Sequence, residues 1–164
     1  MSLLTTRTFK LGVLLFWSLY FSIVFITNWF DALKAAGVLG DGWTFASGNW
    51  AAIREATAIY DTPGWLRAIL FAGVLVLELL AAALFWRAFL LARRSGIYGG
   101  PLITAPVIVG AALFAGFVLA DEIFIAYSFE ATHFRILIAL VVSLLALRLL
   151  PSEDATPLER GQHG

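Results

Sequence analysis

Four long apolar runs, each about the length of a membrane crossing, constrain this chain more than any other feature. The first centres on LGVLLFWSLYFSIVFIT and the second on ILFAGVLVLELLAAALF; the third follows Gly99-Gly100-Pro101 and the fourth follows His133. A helix rises about 1.5 Å per residue, so about 20 apolar residues cross a hydrocarbon layer of about 30 Å. Hydrocarbon offers the backbone no hydrogen-bond partner, so such a run must be helical. The apolar share is 61%, the charged share 13% and the mean hydropathy +0.90. Soluble domains carry roughly twice that charge. The runs therefore predict an all-α, integral-membrane four-helix bundle with spans near 9–27, 65–91, 102–129 and 134–150. Residues 1–150 form one domain, and the polar tail 151–164 reads as disordered.

The connections differ. Arg7 and Lys10 before the first run resemble the start of a signal peptide, but bulky Asn28-Trp29-Phe30 follows it and no small-x-small cleavage site is evident. The first run reads as a retained span. The long connection from Asn28 to Gly64 contains Trp50, Ile53, Ala56 and Ile59 or Tyr60 at helical spacing. This predicts a short amphipathic surface helix over 49–60, with Asn49 as its N-cap. Gly110, Ala111, Ala112, Ala115 and Gly116 give the third span a small-residue stretch suited to close helix packing.

Basic residues set the orientation. With the N-terminus inside, Arg7, Lys10, Arg87, Arg93, Arg94, Arg148 and Arg160 lie on the cytoplasmic side, against Lys34, Arg54, Arg67 and Arg135 outside. Both termini are therefore expected in the cytoplasm.

Ionisable residues inside spans are costly, so they face the bundle interior, pair with one another or mark function. Glu78, Asp121 and Glu122 qualify. Counting residue rises places Glu78 near the midplane, roughly 18 Å below the outer start of its span, and Asp121-Glu122 roughly 10 Å below the outer end of theirs. Asn28 and Asp31 follow span one, Arg67 opens span two, and Glu130, His133 and Arg135 fall at the turn between spans three and four. The outer half of the bundle is thus polar and the inner half almost wholly apolar. That asymmetry predicts a hydrated or ligand-bearing pocket open to the extracytoplasmic side, with Glu78, Asp121, Glu122, Asn28, Asp31, Glu130, His133 and Arg135 as candidate ligand- or proton-binding residues. A plainer reading has Asp121, Glu122 and Glu130 pairing with Arg67 and Arg135 near the headgroups. Protonated Glu78 could likewise serve as a hydrogen-bonding link between helices.

Other chemistries are poorly supported. Zero net charge argues against a nucleic-acid partner, and the absence of cysteine removes disulfides and thiolate chemistry. Glu130-Ala131-Thr132-His133 has the Glu-x-x-His spacing of di-iron bundles, which need a second copy that this chain lacks. No phosphate loop or nucleophile elbow is present, so no catalytic set, metal or cofactor is expected. Trp17, Tyr20, Trp86 and Tyr127 read as aromatic residues at interface depth.

Several of these features together resemble the predicted small integral membrane proteins grouped as domain of unknown function 2165. The resemblance runs from about position 10 to 150. It rests on Asn28 and Asp31, on Trp50-Ala51-Ala52-Ile53-Arg54, on Glu78, on the basic end from Arg87 to Arg94, and on Glu122, Phe124, Glu130 and Phe134-Arg135. It implies four transmembrane helices and the cytoplasmic membrane of a bacterium or archaeon, and it implies no activity. Three functions are therefore expected in order. The first is a non-catalytic accessory or interaction subunit, partnered by lipid, another membrane protein or a second copy. The second is a binder or carrier of a small molecule, lipid or proton. The third is a redox protein binding quinone or metal.

Overall fold

The computed structural model describes residues 5–96 and 98–151. The tail from 152 onward, with Arg160 and His163, lies outside the described residues. Five α-helices follow in order: α1 (Thr6–Ala35), α2 (Asn49–Ala56), α3 (Gly64–Ser95), α4 (Pro101–Ile123) and α5 (Tyr127–Leu149). A 3-10 turn, Thr57–Tyr60, continues α2. Among the described residues there is no strand. Four of the helices, α1, α3, α4 and α5, are long and apolar enough to cross a membrane.

The spans alternate in direction. Contacts along α1 and α3 run from Arg7 against Arg93, through Ser22 against Trp86, to Asn28 against Glu78. Contacts between α4 and α5 run from Thr104 against Arg148 to Asp121 against His133. Helix α1 packs chiefly on α3, α3 on α4, and α4 on α5, while α5 closes only lightly back onto α1.

Each buried face follows a seven-residue repeat, which keeps one seam of a helix turned toward its neighbours. In α1 the repeat joins Leu14, Phe21 and Asn28, with Lys10, Trp17 and Asp31 on the companion line. In α3 it joins Phe71, Glu78, Phe85 and Ala92. The centre of the bundle is aromatic. Phe21 stacks on Phe85 at 5.5 Å between centroids, Trp17 stacks on Phe85 at 6.2 Å, and Phe114 tilts against Phe21 at 6.3 Å. Gly110 admits that cluster, because a Cβ there would stand 2.9 Å from Phe21 Cζ. Gly116, in the same small-residue stretch, has nothing within 4 Å of such a Cβ.

The end of the bundle away from α2 has its own anchor. Lys10 is 2% exposed, donates to the Leu150 carbonyl at 2.7 Å and lies over the Tyr98 ring. The last carbonyls of a helix lack intrahelical partners and carry partial negative charge, so an ammonium there caps α5.

Several boundaries depart from the sequence expectation. Helix α1 runs to Ala35, well past Thr27, because its buried seam continues through Asn28 and Asp31. Both residues are therefore inside a helix and buried. Helix α4 stops at Ile123 although no glycine or proline marks the place. Ala126 N–H bonds to the Asp121 carbonyl and Ile125 N–H to that of Glu122, the double bond of a Schellman end. Ile125 occupies the left-handed position at φ +54°, where glycine is usual. Helix α5 then begins at Tyr127, so Glu130, His133 and Arg135 lie on its first turns and not in a connecting loop. Gly48, at φ +77°, is the N-cap of α2; Asn49 is already helical and its side chain is used elsewhere. Trp17 and Trp86 also differ from expectation. Their indole N–H groups donate to Ser143 and Ser22, so they link helices within the bundle.

Candidate functional site

Two buried polar groupings form at the end of the bundle beside α2, and both border one cavity. The first begins on α1. Asn28 is 1% exposed and donates through Nδ2 to Glu78 Oε1 on α3 at 2.6 Å. Its Oδ1 accepts from Asn49 Nδ2 at 2.8 Å. One amide thus ties together a span, a second span and the surface helix. Three residues further along α1, Asp31 Oδ2 accepts from Trp50 N–H at 2.7 Å and from Ser47 Oγ at 3.2 Å. A carboxylate at the start of α2 satisfies an orphan amide and complements the positive end of the helix. Trp50 in turn packs on Phe71 of α3 at 5.8 Å.

Glu78 is 2% exposed, and Oε2 has no hydrogen-bond partner among the described residues. A buried polar atom without a partner is expensive, because desolvation is not compensated.

The second grouping joins α4 and α5. Asp121 is 5% exposed and stands 2.6 Å, Oδ2 to Nδ1, from His133. It is the one ion-pair contact among the described residues. Asp121 sits in the last turn of α4, where a negative charge opposes the helix dipole; the imidazole offsets that cost. The Schellman end brings the pair together, since it folds α5 straight back along α4. Phe117 and Phe114 flank the imidazole at 4.8 and 6.3 Å.

The cavity encloses about 670 Å³ and is bounded by all five helices. Tyr20 and Val24 come from α1, Asn49, Ile53 and Ala56 from α2, Phe71, Gly73 and Glu78 from α3, Phe114, Gly116, Phe117 and Asp121 from α4, and Thr132, His133 and Ile136 from α5. Its walls are mostly hydrocarbon, with a few convergent polar groups, which is the usual make-up of a small-molecule site. Helix α2 forms the wall at one end. It is held by Asn28, by Asp31, by Arg67 Nε donating to Thr57 Oγ1 at 2.9 Å, and by Tyr60 OH donating to the Ile123 carbonyl at 2.8 Å.

Of the residues singled out from sequence, the fold gathers Glu78, Asn28, Asp31, Asp121 and His133. It leaves three apart. Glu122 and Arg135 are exposed, and Glu130 is half-buried but does not line the cavity. Arg67 and Arg135 do not pair with the acids; Arg67 is engaged by Thr57 and Asp121 by His133. No group of three or more metal-ligating side chains occurs among the described residues. Sequence reasoning missed Asn49, Tyr20 and Trp50 as parts of the site. The continuing seven-residue seam of α1 was the signal that places Asn28 and Asp31 inside. No family model, curated protein or solved structure matches this chain.

Proposed function

We propose that this protein binds a small, largely apolar molecule within the membrane, in the cavity bordered by Glu78 and by the Asp121–His133 pair. One observation carries the reading: ionisable side chains from three different spans, Glu78, Asp121 and His133, border the same largely apolar space. Hydrocarbon walls supply affinity for a lipophilic body, and the few polar atoms fix its orientation. Glu122 is exposed and does not border the cavity, so it is not part of this site.

We further propose a cytoplasmic membrane of a prokaryote as the location, with both termini inside. The basic cluster from Arg87 to Arg94 and the resemblance to the domain of unknown function 2165 proteins support this. Under that orientation the cavity lies in the outer half of the bundle, beneath the surface helix.

Native mass spectrometry of gently extracted protein tests the binding role. The expected result is a bound small molecule on the wild-type chain and its loss from Gly116→Leu, which fills the cavity without adding charge. Equal occupancy of both proteins would refute the assignment.

A second reading, an interaction subunit of a larger membrane assembly, draws on α5. That helix buries only 11% of its apolar window and exposes Phe134, Ile138, Val141, Val142, Leu145 and Leu149. Co-purification of a stoichiometric protein partner, lost on substituting Val142 and Leu145, would favour it.

A further inference from the structure

We infer that the cavity takes a lipophilic organic cation, an ammonium or phosphonium carried on an aromatic or alkyl body, with Glu78 as its counter-ion. This rests on the binding role proposed above and narrows it to one class of ligand.

Charge carries the inference. Among the described residues, the ionisable side chains bordering the cavity, besides the Tyr20 phenol, are Glu78, Asp121 and His133, and none is a lysine or arginine. His133 is already committed to Asp121 at 2.6 Å. With the imidazole protonated that pair is neutral, and with it neutral the pair is negative. In neither case is there a cation left for Glu78. Its Oε1 is occupied by the Asn28 amide, and its Oε2 is buried with no partner among the described residues. A carboxyl in hydrocarbon stays ionised only beside an opposite charge or strong donors and otherwise keeps its proton, so a bound cation would be the partner that favours the carboxylate.

The same inventory excludes the opposite class. A phosphate or carboxylate head would meet two acids and no basic side chain able to fork onto it. Arg67 reaches the cavity wall only through Thr57, to which its Nε donates, and it lies with Arg54 and Glu55 along a different groove. The rings of Phe71, Phe114 and Phe117 complete the setting, since an aromatic face attracts a cation and does so more strongly once both are desolvated.

The test uses tetraphenylphosphonium and tetraphenylborate, ions of nearly the same shape and opposite charge, with the purified full chain in lipid nanodiscs. Equilibrium dialysis should show saturable binding of the phosphonium, with the borate weaker by about tenfold or more. Glu78→Gln keeps an oxygen to accept from Asn28 and removes the charge, and should weaken phosphonium binding by about tenfold or more. Gly116→Leu should abolish binding, and it keeps the test independent of whether Glu78→Gln folds. Equal binding of the two ions, or phosphonium binding that neither variant alters, would overturn the inference. Suppose instead that a neutral molecule is held by the wild type, is lost from Gly116→Leu, and the phosphonium does not bind. The cation assignment then fails while the binding role stands. If the cavity holds neither, both fail.

Discussion

Asn28 Nδ2 donates to Glu78 Oε1 across 2.6 Å, and this contact fixes α1 to α3 at the level of the cavity. The same amide accepts from Asn49, so the intramembrane acid and the surface helix share one partner. Removing it should loosen both. Asn28→Leu, close in size and unable to hydrogen-bond, is expected to destabilise the protein by about 1–3 kcal/mol, because a buried carboxyl loses its donor. Hydrogen exchange should rise across residues 49–56 as well. A variant that melts like the wild type with unchanged exchange in α2 would refute this link.

Gly110 makes a comparably sharp prediction. The Phe21 ring that a new Cβ would strike is fully buried and stacked on Phe85, so it has little room to move. Gly110→Ala should cost about 1–3 kcal/mol through overpacking. Gly116→Ala should be tolerated, since its Cβ would meet nothing within 4 Å. Thermal unfolding in detergent distinguishes the two, and equal midpoints would contradict the packing account.

The end of α4 invites a stabilising change. Ile125 is β-branched, half-exposed and held at φ +54°. Relief of left-handed strain outweighs the extra backbone entropy of glycine, so Ile125→Gly should gain about 0.5 to 1 kcal/mol. A lowered melting temperature would show that the isoleucine side chain matters more than its backbone.

Lys10 anchors the opposite end. Lys10→Met preserves length and apolar stem but removes the ammonium from the Leu150 carbonyl. The expected loss is about 1–3 kcal/mol, with faster exchange confined to the last turn of α5. Unchanged protection of that turn would rule out the capping role.

Much of this was legible in the chain. Four apolar runs define four spans, and the acids within them mark where interior polar groups lie. The heptad seams go further. Asn28 shares a line with Leu14 and Phe21, Asp31 with Trp17, and Glu78 with Phe71 and Phe85, so their burial follows from register. Glu122, one residue off the buried Asp121, is turned outward by that same geometry. Two features left no such trace. An isoleucine ending a helix breaks the usual glycine rule, which is why α4 reads too long and α5 too short. His133 then reads as part of a turn when it is a helical residue facing Asp121.

Local chemistry thus settled what must be helical, how many times the chain can cross a membrane and which side chains cannot face lipid. Those are consequences of backbone hydrogen bonding and desolvation, and they depend on each segment alone. Which polar groups meet is a different matter. Asn28 with Glu78 and Asp121 with His133 depend on the rotation and register of separate helices, set by the aromatic core and by one strained turn. The cavity between them exists only because five helices leave that volume unfilled.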